Sequence, residues 1–358
     1  MSLTYRPDWE SARARLTTWW NGGDIGRAAM QLTAPRAQPW EVLPEVARPD
    51  GWITDYSMRS LDYHLYVRYL GPASTIHLGE AVPTTAPGDL APNCLALYLG
   101  CQGHESPGTV WCEEFLDDPD QARFEIDLNN PNWLFTQKAA FQCLDFCRGK
   151  FQPTYPDLIE GLDTLAAMRG TETLLADLID RPDWVQSSLR QITDKYFYYY
   201  DWLYDHYRDE VGGSIFWAWA PGRMAKFQCD FSAMIGPKMF EEFMGPVLRE
   251  MTARVGYCMY HWDGPQAIPH KATLLNLPDL DMLQWTPGAA FPQTWDKMWY
   301  PLYHEVLDAG KKLLVGATCK EDLANFKQEF GEQTKQLMIN ARVTSVEEGE
   351  EWLKFMEV

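Results

Sequence analysis

The sequence lacks two kinds of hydrophobic segment. No run of apolar residues approaches the length of about 18 that a membrane-spanning helix needs. The first residues, Met1 to Asp8, do not show the basic stretch followed by an apolar stretch that is typical of a secretory signal. Both absences predict a cytoplasmic protein that does not enter a membrane.

Positive charge is scarce. The chain has 31 Lys and Arg residues against 50 Asp and Glu residues, which gives a formal net charge of −19 at pH 7. A field of this sign repels phosphate backbones and anionic lipid headgroups. We therefore expect neither nucleic acid nor a membrane surface as a partner.

Common local signatures of catalysis are also missing. The chain has no G-x-G-x-x-G, no P-loop, no G-x-S-x-G and no H-E-x-x-H. The eight cysteines include no C-x-x-C pair, so most are expected to be small buried hydrophobes, and one or two could be metal ligands or reactive thiols. Any site must therefore combine residues that are distant in the sequence.

What is present favours one large α/β domain. The chain has 358 residues, of which 46% are hydrophobic. From residue 150 onward, short apolar runs alternate with helical stretches, and a βα unit needs about 30 residues. We predict a (β/α)8 TIM barrel in which residues 150–358 form the main part and residues 1–149 an N-terminal elaboration on or over it, all in one structural domain. The expected strands lie near Lys150 to Thr154 and at Ser214 to Ala220, Gly256 to Trp262, Asp281 to Trp285, Lys312 to Thr318 and Gln336 to Ala341.

Active sites of such barrels lie at the carboxyl ends of the strands. His261 and Asp263 are two residues apart at such an end, so both side chains should face the same side of the sheet. Together they could ligate a metal or act as a base and its orienting group. Alternatively, the pair holds the Gly-Pro turn that follows. Asp230 is either a carboxylate over the same cavity or a helix N-cap.

Further residues follow from the same rule. Cys319, after a later strand, would complete a zinc site with His261 and Asp263, unless it is simply a packed cysteine. Trp262 should point into the helix layer. Arg342 could clamp a carboxylate, but a surface salt bridge is the expectation for it. Predicted substrate contacts are Tyr155, Asp157, Arg223, Gln284 and Trp285.

Several segments carry a family resemblance. The run Cys229 to Pro237, the phenylalanines that follow it, the strand that ends at His261 and the run Asp163 to Gly170 resemble the uroporphyrinogen decarboxylase superfamily over roughly residues 150–345. That superfamily includes methyltransferases that work with corrinoid proteins. The resemblance implies a barrel enzyme with a small-molecule substrate, and it leaves the oligomeric state open, a homo-oligomer included.

Departures from the family pattern decide between the reactions that it implies. The arginine-rich segment with which true uroporphyrinogen decarboxylases bind their substrate is missing, and Asn340 to Arg342 replaces their Gly-His-Gly turn. The H-x-C zinc motif of the methyltransferases becomes His261-Trp262-Asp263. We expect a methyltransferase that moves a methyl group from a small methylated compound to a corrinoid protein with the help of zinc. The alternatives are a metal-free decarboxylase of an aromatic or tetrapyrrolic acid that uses Asp230 and His261, and a non-catalytic binding barrel.

Overall fold

The computed structural model describes residues 2–357, which form an α/β fold. No helix in this range is long and apolar enough to cross a membrane. The α-helices are α1 Trp9–Trp20, α2 Leu61–Ser74, α3 Cys94–Tyr98, α4 Pro131–Cys147, α5 Gly161–Arg169, α6 Thr171–Asp180, α7 Pro182–Tyr207, α8 Pro237–Arg254, α9 Lys271–Leu275, α10 Tyr300–Asp308, α11 Lys320–Phe330 and α12 Val346–Met356.

The strands are short and are distributed along the whole chain. They are β1 Ala29–Pro35, β2 Thr75–Gly79, β3 Thr84–Thr85, β4 Gln102–Ser106, β5 Thr109–Glu113, β6 Gln152–Pro153, β7 Ser214–Phe216, β8 Ala218–Ala220, β9 Met224–Gln228, β10 Tyr257–Asp263, β11 Met282–Thr286, β12 Lys312–Gly316 and β13 Leu337–Arg342.

Seven strands form the central sheet, in the order β2-β1-β13-β12-β11-β10-β9. All neighbours are parallel except β2, which runs antiparallel to β1 at one edge. Three two-stranded sheets accompany it: parallel β3-β6 and antiparallel β4-β5 and β7-β8. The α/β class and the predominantly parallel sheet are confirmed. The hydrogen-bonded ladder ends at β2 and at β9, so it does not form the closed eight-stranded ring that was expected.

The strands expected on either side of His261 are confirmed. β10 and β11 are parallel neighbours, and His261 lies opposite Gln284 in their register. Between the preceding strand and β10, α8 buries the apolar stripe read from its spacing, with Phe240, Phe243 and Leu248 inside. The helix therefore packs against the sheet as its 3.6-residue periodicity predicts.

The strand expected at Ser214 to Ala220 is wrong. The segment is the tight antiparallel pair β7-β8, and it reverses at Trp217, whose φ of 56° is unusual for a bulky residue. The strand that joins the parallel sheet beside β10 is Met224 to Gln228 instead. The carboxyl end of this strand is therefore at Gln228, eight residues later than the sequence pattern indicates.

The N-terminal part of the chain contributes to the central sheet. β1 lies between β2 and β13, and Ala29 is paired with Met338. A buried ion cluster holds the end of β2 against β1: Glu80 accepts from Arg27 at 2.6 Å and 2.9 Å, from Arg15 at 2.7 Å and from the backbone N–H of Met30 at 2.8 Å. One continuous hydrophobic core includes residues from both sides of position 150.

Candidate functional site

Three metal-ligand side chains meet at the carboxyl ends of β9 and β10. Asp230 follows β9 at the start of a short 3-10 helix, and His261 and Asp263 end β10. One ligand atom from each lies within 4.8 Å of the other two. The register explains the meeting, because Gln228 lies opposite His261 and Asp230 is two residues further along. The predicted pair of His261 and Asp263 and the predicted Asp230 are thus brought together, and we call them the Asp-His-Asp cluster.

Gln284 fixes the orientation of the imidazole. Its amide Nε2 donates to the carbonyl of Trp285 at 3.0 Å and to Thr286 Oγ1 at 2.8 Å. A backbone carbonyl only accepts hydrogen bonds, so the amide nitrogen must face it and Oε1 must face His261. His261 Nδ1 therefore donates to Gln284 Oε1. This tautomer leaves Nε2 of His261 with a free lone pair for a metal or a proton.

Trp217 covers one side of the imidazole. Its ring lies edge-on to the His261 ring, with centroids 5.2 Å apart and an interplanar angle of 83°. The indole itself is 43% exposed. The unusual backbone conformation that ends β7 thus places a large aromatic side chain beside the cluster, where it limits access by water.

Burial and charge shift the protonation of Asp230. Burial raises the pKa of its carboxyl above the usual range, the positive influence of His261 opposes the rise, and the charge of Asp263 adds to it. Gln228 Nε2 donates to Asp230 Oδ2 at 3.0 Å. Asp230 can therefore carry a proton at a higher pH than an ordinary aspartate.

A buried group of charged residues lies next to the cluster, between β9 and the segment that precedes α5. The Lys226 ammonium, fully buried in β9, donates to Asp157 Oδ1 at 2.6 Å and also to Gln228 Oε1. Glu160 Oε1 accepts from the backbone N–H of Gln228 at 2.7 Å, whereas its buried Oε2 has no hydrogen-bond partner within residues 2–357. Burial raises the pKa of Glu160 well above its usual range, although the charge of Lys226 opposes the rise.

Asp163 positions the turn that carries Asp230. Its two carboxylate oxygens each accept at 2.8 Å, one from the backbone N–H of Asp230 and one from that of Phe231. Burial, with the nearby charge of Asp230, raises the pKa of Asp163 to about 7. Sequence reasoning gave no role in the site to Asp163 or Glu160. The available signals were the acidic residues at the start of α5 and, for Asp163, its place in the run that carries the family resemblance.

Two of the predicted substrate contacts lie next to the cluster. Asp157 pairs with Lys226, and Gln284 bonds to His261. Tyr155 is buried in an aromatic layer, where its ring packs on Tyr200 at 5.1 Å between centroids. It therefore belongs to the packed wall behind Asp157.

Arg223 and Trp285 do not face the site. Arg223 precedes β9, so it lies at the amino end of the strand, where it pairs with Asp201. The prediction for Arg223 was wrong because the strand was expected at Ser214 to Ala220, which would have put Arg223 beyond its carboxyl end. Trp285 is fully buried between Trp262 and Trp299, with centroids at 5.4 and 5.0 Å, because odd and even residues of a strand face opposite sides. Trp262 is buried on the face opposite to His261, in agreement with the prediction that it points away from the site.

Cys319 is not a member of the cluster. It lies three residues beyond the end of β12 and is the exposed N-cap of α11, where its backbone N–H donates to Asp322 Oδ2 at 3.1 Å. No cysteine belongs to the one group of three metal-ligand side chains found within residues 2–357. The donor set is two carboxylates and one imidazole, which differs from the thiolate-containing set that was predicted.

An open groove of about 460 Å³ begins at Asp230. Its walls include Asp163, Met234 and residues 109–112 of β5 in the β4-β5 hairpin. A molecule in this groove would reach the cluster from the side of α5. No protein-family model matches the chain, and a search of curated proteins found no match, so the interpretation of the site depends on its own geometry.

Proposed function

We propose that the Asp-His-Asp cluster binds a divalent metal ion and that the protein is a methyltransferase, which moves a methyl group from a small methylated compound to a corrinoid carried by a partner protein. The observation that supports the proposal is the convergence of three ligand atoms within 4.8 Å at the carboxyl edge of a parallel sheet. Sites of α/β enzymes occupy this edge.

The donor set fits a divalent ion. Metal-ligand bonds to nitrogen and oxygen are about 2.0–2.2 Å long, so two ligands on opposite sides of an ion are about 4.4 Å apart at most. Three ligand atoms evenly spaced around one ion are at most about 3.8 Å from one another, so a pair at the 4.8 Å limit would have to approach by about 1 Å, for which the exposed side chain of Asp263 has room. One imidazole and two carboxylates suit zinc, and they also suit manganese or ferrous iron.

The chain's own residues prepare the site for the reaction. Gln284 presents His261 Nε2, Trp217 shields the imidazole, and Asp163 holds the turn that aims Asp230. A bound ion would supply Lewis-acid activation of the atom that the methyl group leaves. Asp230 ligates the ion only as a carboxylate, so an ion that binds must displace the proton that its raised pKa favours.

We also propose that the fold is a (β/α)8 barrel with an incomplete hydrogen-bonded wall. Six parallel strands run from β9 to β1 through the sheet, and β3 and β6 form a parallel pair. The side chain of Thr154, next to β6, donates to the carbonyl of Ile215 at 2.6 Å, and Ser214 Oγ in turn accepts from the N–H of Met224 in β9 at 2.9 Å. Together these are eight parallel strands, with one gap in the wall between β6 and β9 and another between β3 and β1. The side-chain hydrogen bonds bridge the gap between β6 and β9.

Metal binding by purified protein tests the proposal. We expect about one ion per chain after zinc supplementation, and loss of that ion in His261→Ala and Asp263→Asn. Asp205→Asn is the matched control, because Asp205 is exposed and its removal makes the same change of charge. If the metal-loaded protein then demethylates none of a panel of methylated amines and methyl ethers with a free corrinoid as acceptor, methyl transfer is refuted. If no ion binds, the metal centre itself is refuted.

One observation favours a decarboxylase as the second candidate. The cluster contains no thiolate, and it includes a carboxyl group whose raised pKa suits the delivery of a proton to a carbanion. A decarboxylase of this kind needs no metal. Carbon dioxide release by chelator-treated protein from aromatic acids, with loss in Asp230→Asn, would select this reaction over methyl transfer.

A further inference from the structure

A second open cavity, of about 420 Å³, is lined by residues of β1, β2, β3 and β13 and of the segment between β2 and β3. Its lining contains one permanent positive charge and no carboxylate, although the chain as a whole carries a net charge of −19. The side chains with polar groups are Gln31, Thr33, His77, Thr84, Asn340 and Arg342.

The register places this cavity on the same face and edge of the sheet as the cluster. Asp263 lies opposite Thr286, Gly316 opposite Asn340, and Asn340 opposite Gln31. The pairing of Gln284 with Leu314, two residues earlier, puts these pairs in one row across the sheet. Residues in register in parallel strands share a face. Asn340 and Gln31 therefore point to the same side as Asp263, from strands three and four positions away respectively.

Arg342 is available for a ligand. It is exposed at the end of β13, next to Thr33 of β1 in register, and its guanidinium has no ion-pair partner within residues 2–357. The surface salt bridge expected for it from the sequence is therefore not formed. The two parallel N–H groups of an arginine without a carboxylate partner match the geometry of a carboxylate ligand.

Three other lining residues carry buried polar atoms without a partner. Thr84 Oγ1, His77 Nδ1 and Asn340 Oδ1 make no hydrogen bond to the described part of the chain. Burial, with the charge of Arg6, lowers the pKa of His77 to about 4, so its ring is neutral near pH 7. Buried polar groups normally have partners, and a ligand with hydroxyl groups would supply them.

We propose that this cavity binds a small hydroxylated carboxylic acid, with its carboxylate on Arg342 and its hydroxyl group donating to Asn340 Oδ1. A carboxylate fits better than a phosphate, because the lining offers a single cation and an amide oxygen that repels further anionic oxygens. The site is formed by other residues than the cluster, so the proposal is independent of the reaction that the cluster catalyses.

Lactate is a suitable probe, since it has one carboxylate and one hydroxyl group. We expect saturable lactate binding by isothermal titration, weakened about tenfold in Arg342→Gln and several-fold in Asn340→Leu. Arg148→Gln, at an exposed arginine elsewhere, should bind lactate as the unmodified protein does. Circular dichroism of each variant shows whether it is folded.

Four results would overturn the proposal. They are equal lactate affinity in Arg342→Gln, equal binding of the uncharged analogue lactamide, tighter binding of inorganic phosphate than of lactate, and loss of lactate binding after treatment with a chelator. The last result would assign lactate to a metal at the Asp-His-Asp cluster. Binding that persists after chelation but is weaker in Arg342→Gln supports a separate carboxylate site.

Discussion

Replacing Gln284 by leucine should weaken metal binding at the Asp-His-Asp cluster although Gln284 is not itself a ligand. The amide of Gln284 is held by two hydrogen bonds of its own, at 3.0 and 2.8 Å, so its Oε1 always faces His261 Nδ1. Leucine has similar volume but no acceptor. In the variant the imidazole can rotate and can exchange its tautomer, and Nε2 no longer points reliably into the cluster.

The expected loss is large enough to measure. Removing the partner that orients a ligating histidine typically costs about 10–100-fold in metal affinity, or about 1.4–2.7 kcal/mol. One net hydrogen bond accounts for about 0.5–1.5 kcal/mol of this, and the rest comes from the freed imidazole. Thr286→Val, which removes only one of the two bonds that hold the amide, should cost less than Gln284→Leu.

Competition with a chromophoric zinc chelator measures these affinities directly. Chelator-treated protein is titrated at neutral pH, and thermal melts recorded in parallel show whether each variant is folded. The reasoning fails if Gln284→Leu binds zinc within about twofold of the unmodified protein, since the hydrogen bond would then not orient the ligand. It also fails if Thr286→Val is the weaker binder of the two.

Three further outcomes follow from the buried charges. Metal affinity should fall on acidification through the raised pKa of Asp230, because protonation removes a ligand, and a titration that stays flat down to about pH 4, near the ordinary aspartate pKa, would contradict this. Lys226→Met should lower the free energy of unfolding by about 3–5 kcal/mol, because Asp157 loses its buried partner, and urea melts should show part of this recovered in Lys226→Met/Asp157→Leu. Burial raises the pKa of Glu160 in the folded protein, whereas in the unfolded chain this group ionises above about pH 4.3, so its contribution to stability is complete below that pH and is lost as the pH rises through its folded pKa. Urea melts of Glu160→Gln at a series of pH values should not show this fall in the free energy of unfolding. A pH dependence parallel to that of the unmodified protein would refute the role of Glu160.

Much of the fold could be predicted because periodicity is a local property. The stripe of α8 and the apolar runs of β10 to β13 repeat at the spacing that burial demands, and these elements occur where expected. β1 was missed because its pairing with β13 depends on residues far away in the sequence. The segment Ser214 to Ala220 has the composition of a strand, but the chain reverses at Trp217. Its two halves therefore pair with each other and not with β10.

The candidate site was predictable where it depends on alternation along one strand. His261 and Asp263 share a face for that reason, and Asp230 joins them through the neighbouring strand. Cys319 was misjudged because its strand ends three residues before it, at Gly316, so that Cys319 begins α11 and does not line the strand end. Asp163 and Glu160 could not be found, since their roles depend on backbone N–H groups about 68 residues further along the chain, which only a folded structure brings near.

The pairing of β1 with β13 sets an order of events during synthesis. The two strands are about 300 residues apart, and at about 5–20 residues per second a ribosome takes roughly 15–60 s to make the chain between them. For that time β1 has only its antiparallel neighbour β2 and the salt bridges of Glu80. One long side of β1 is an unpaired strand edge until the last strand emerges, and such edges associate with other chains. A nascent chain should therefore be most prone to aggregate late in translation, and a holdase that covers β1 and β2 should raise the yield of folded protein.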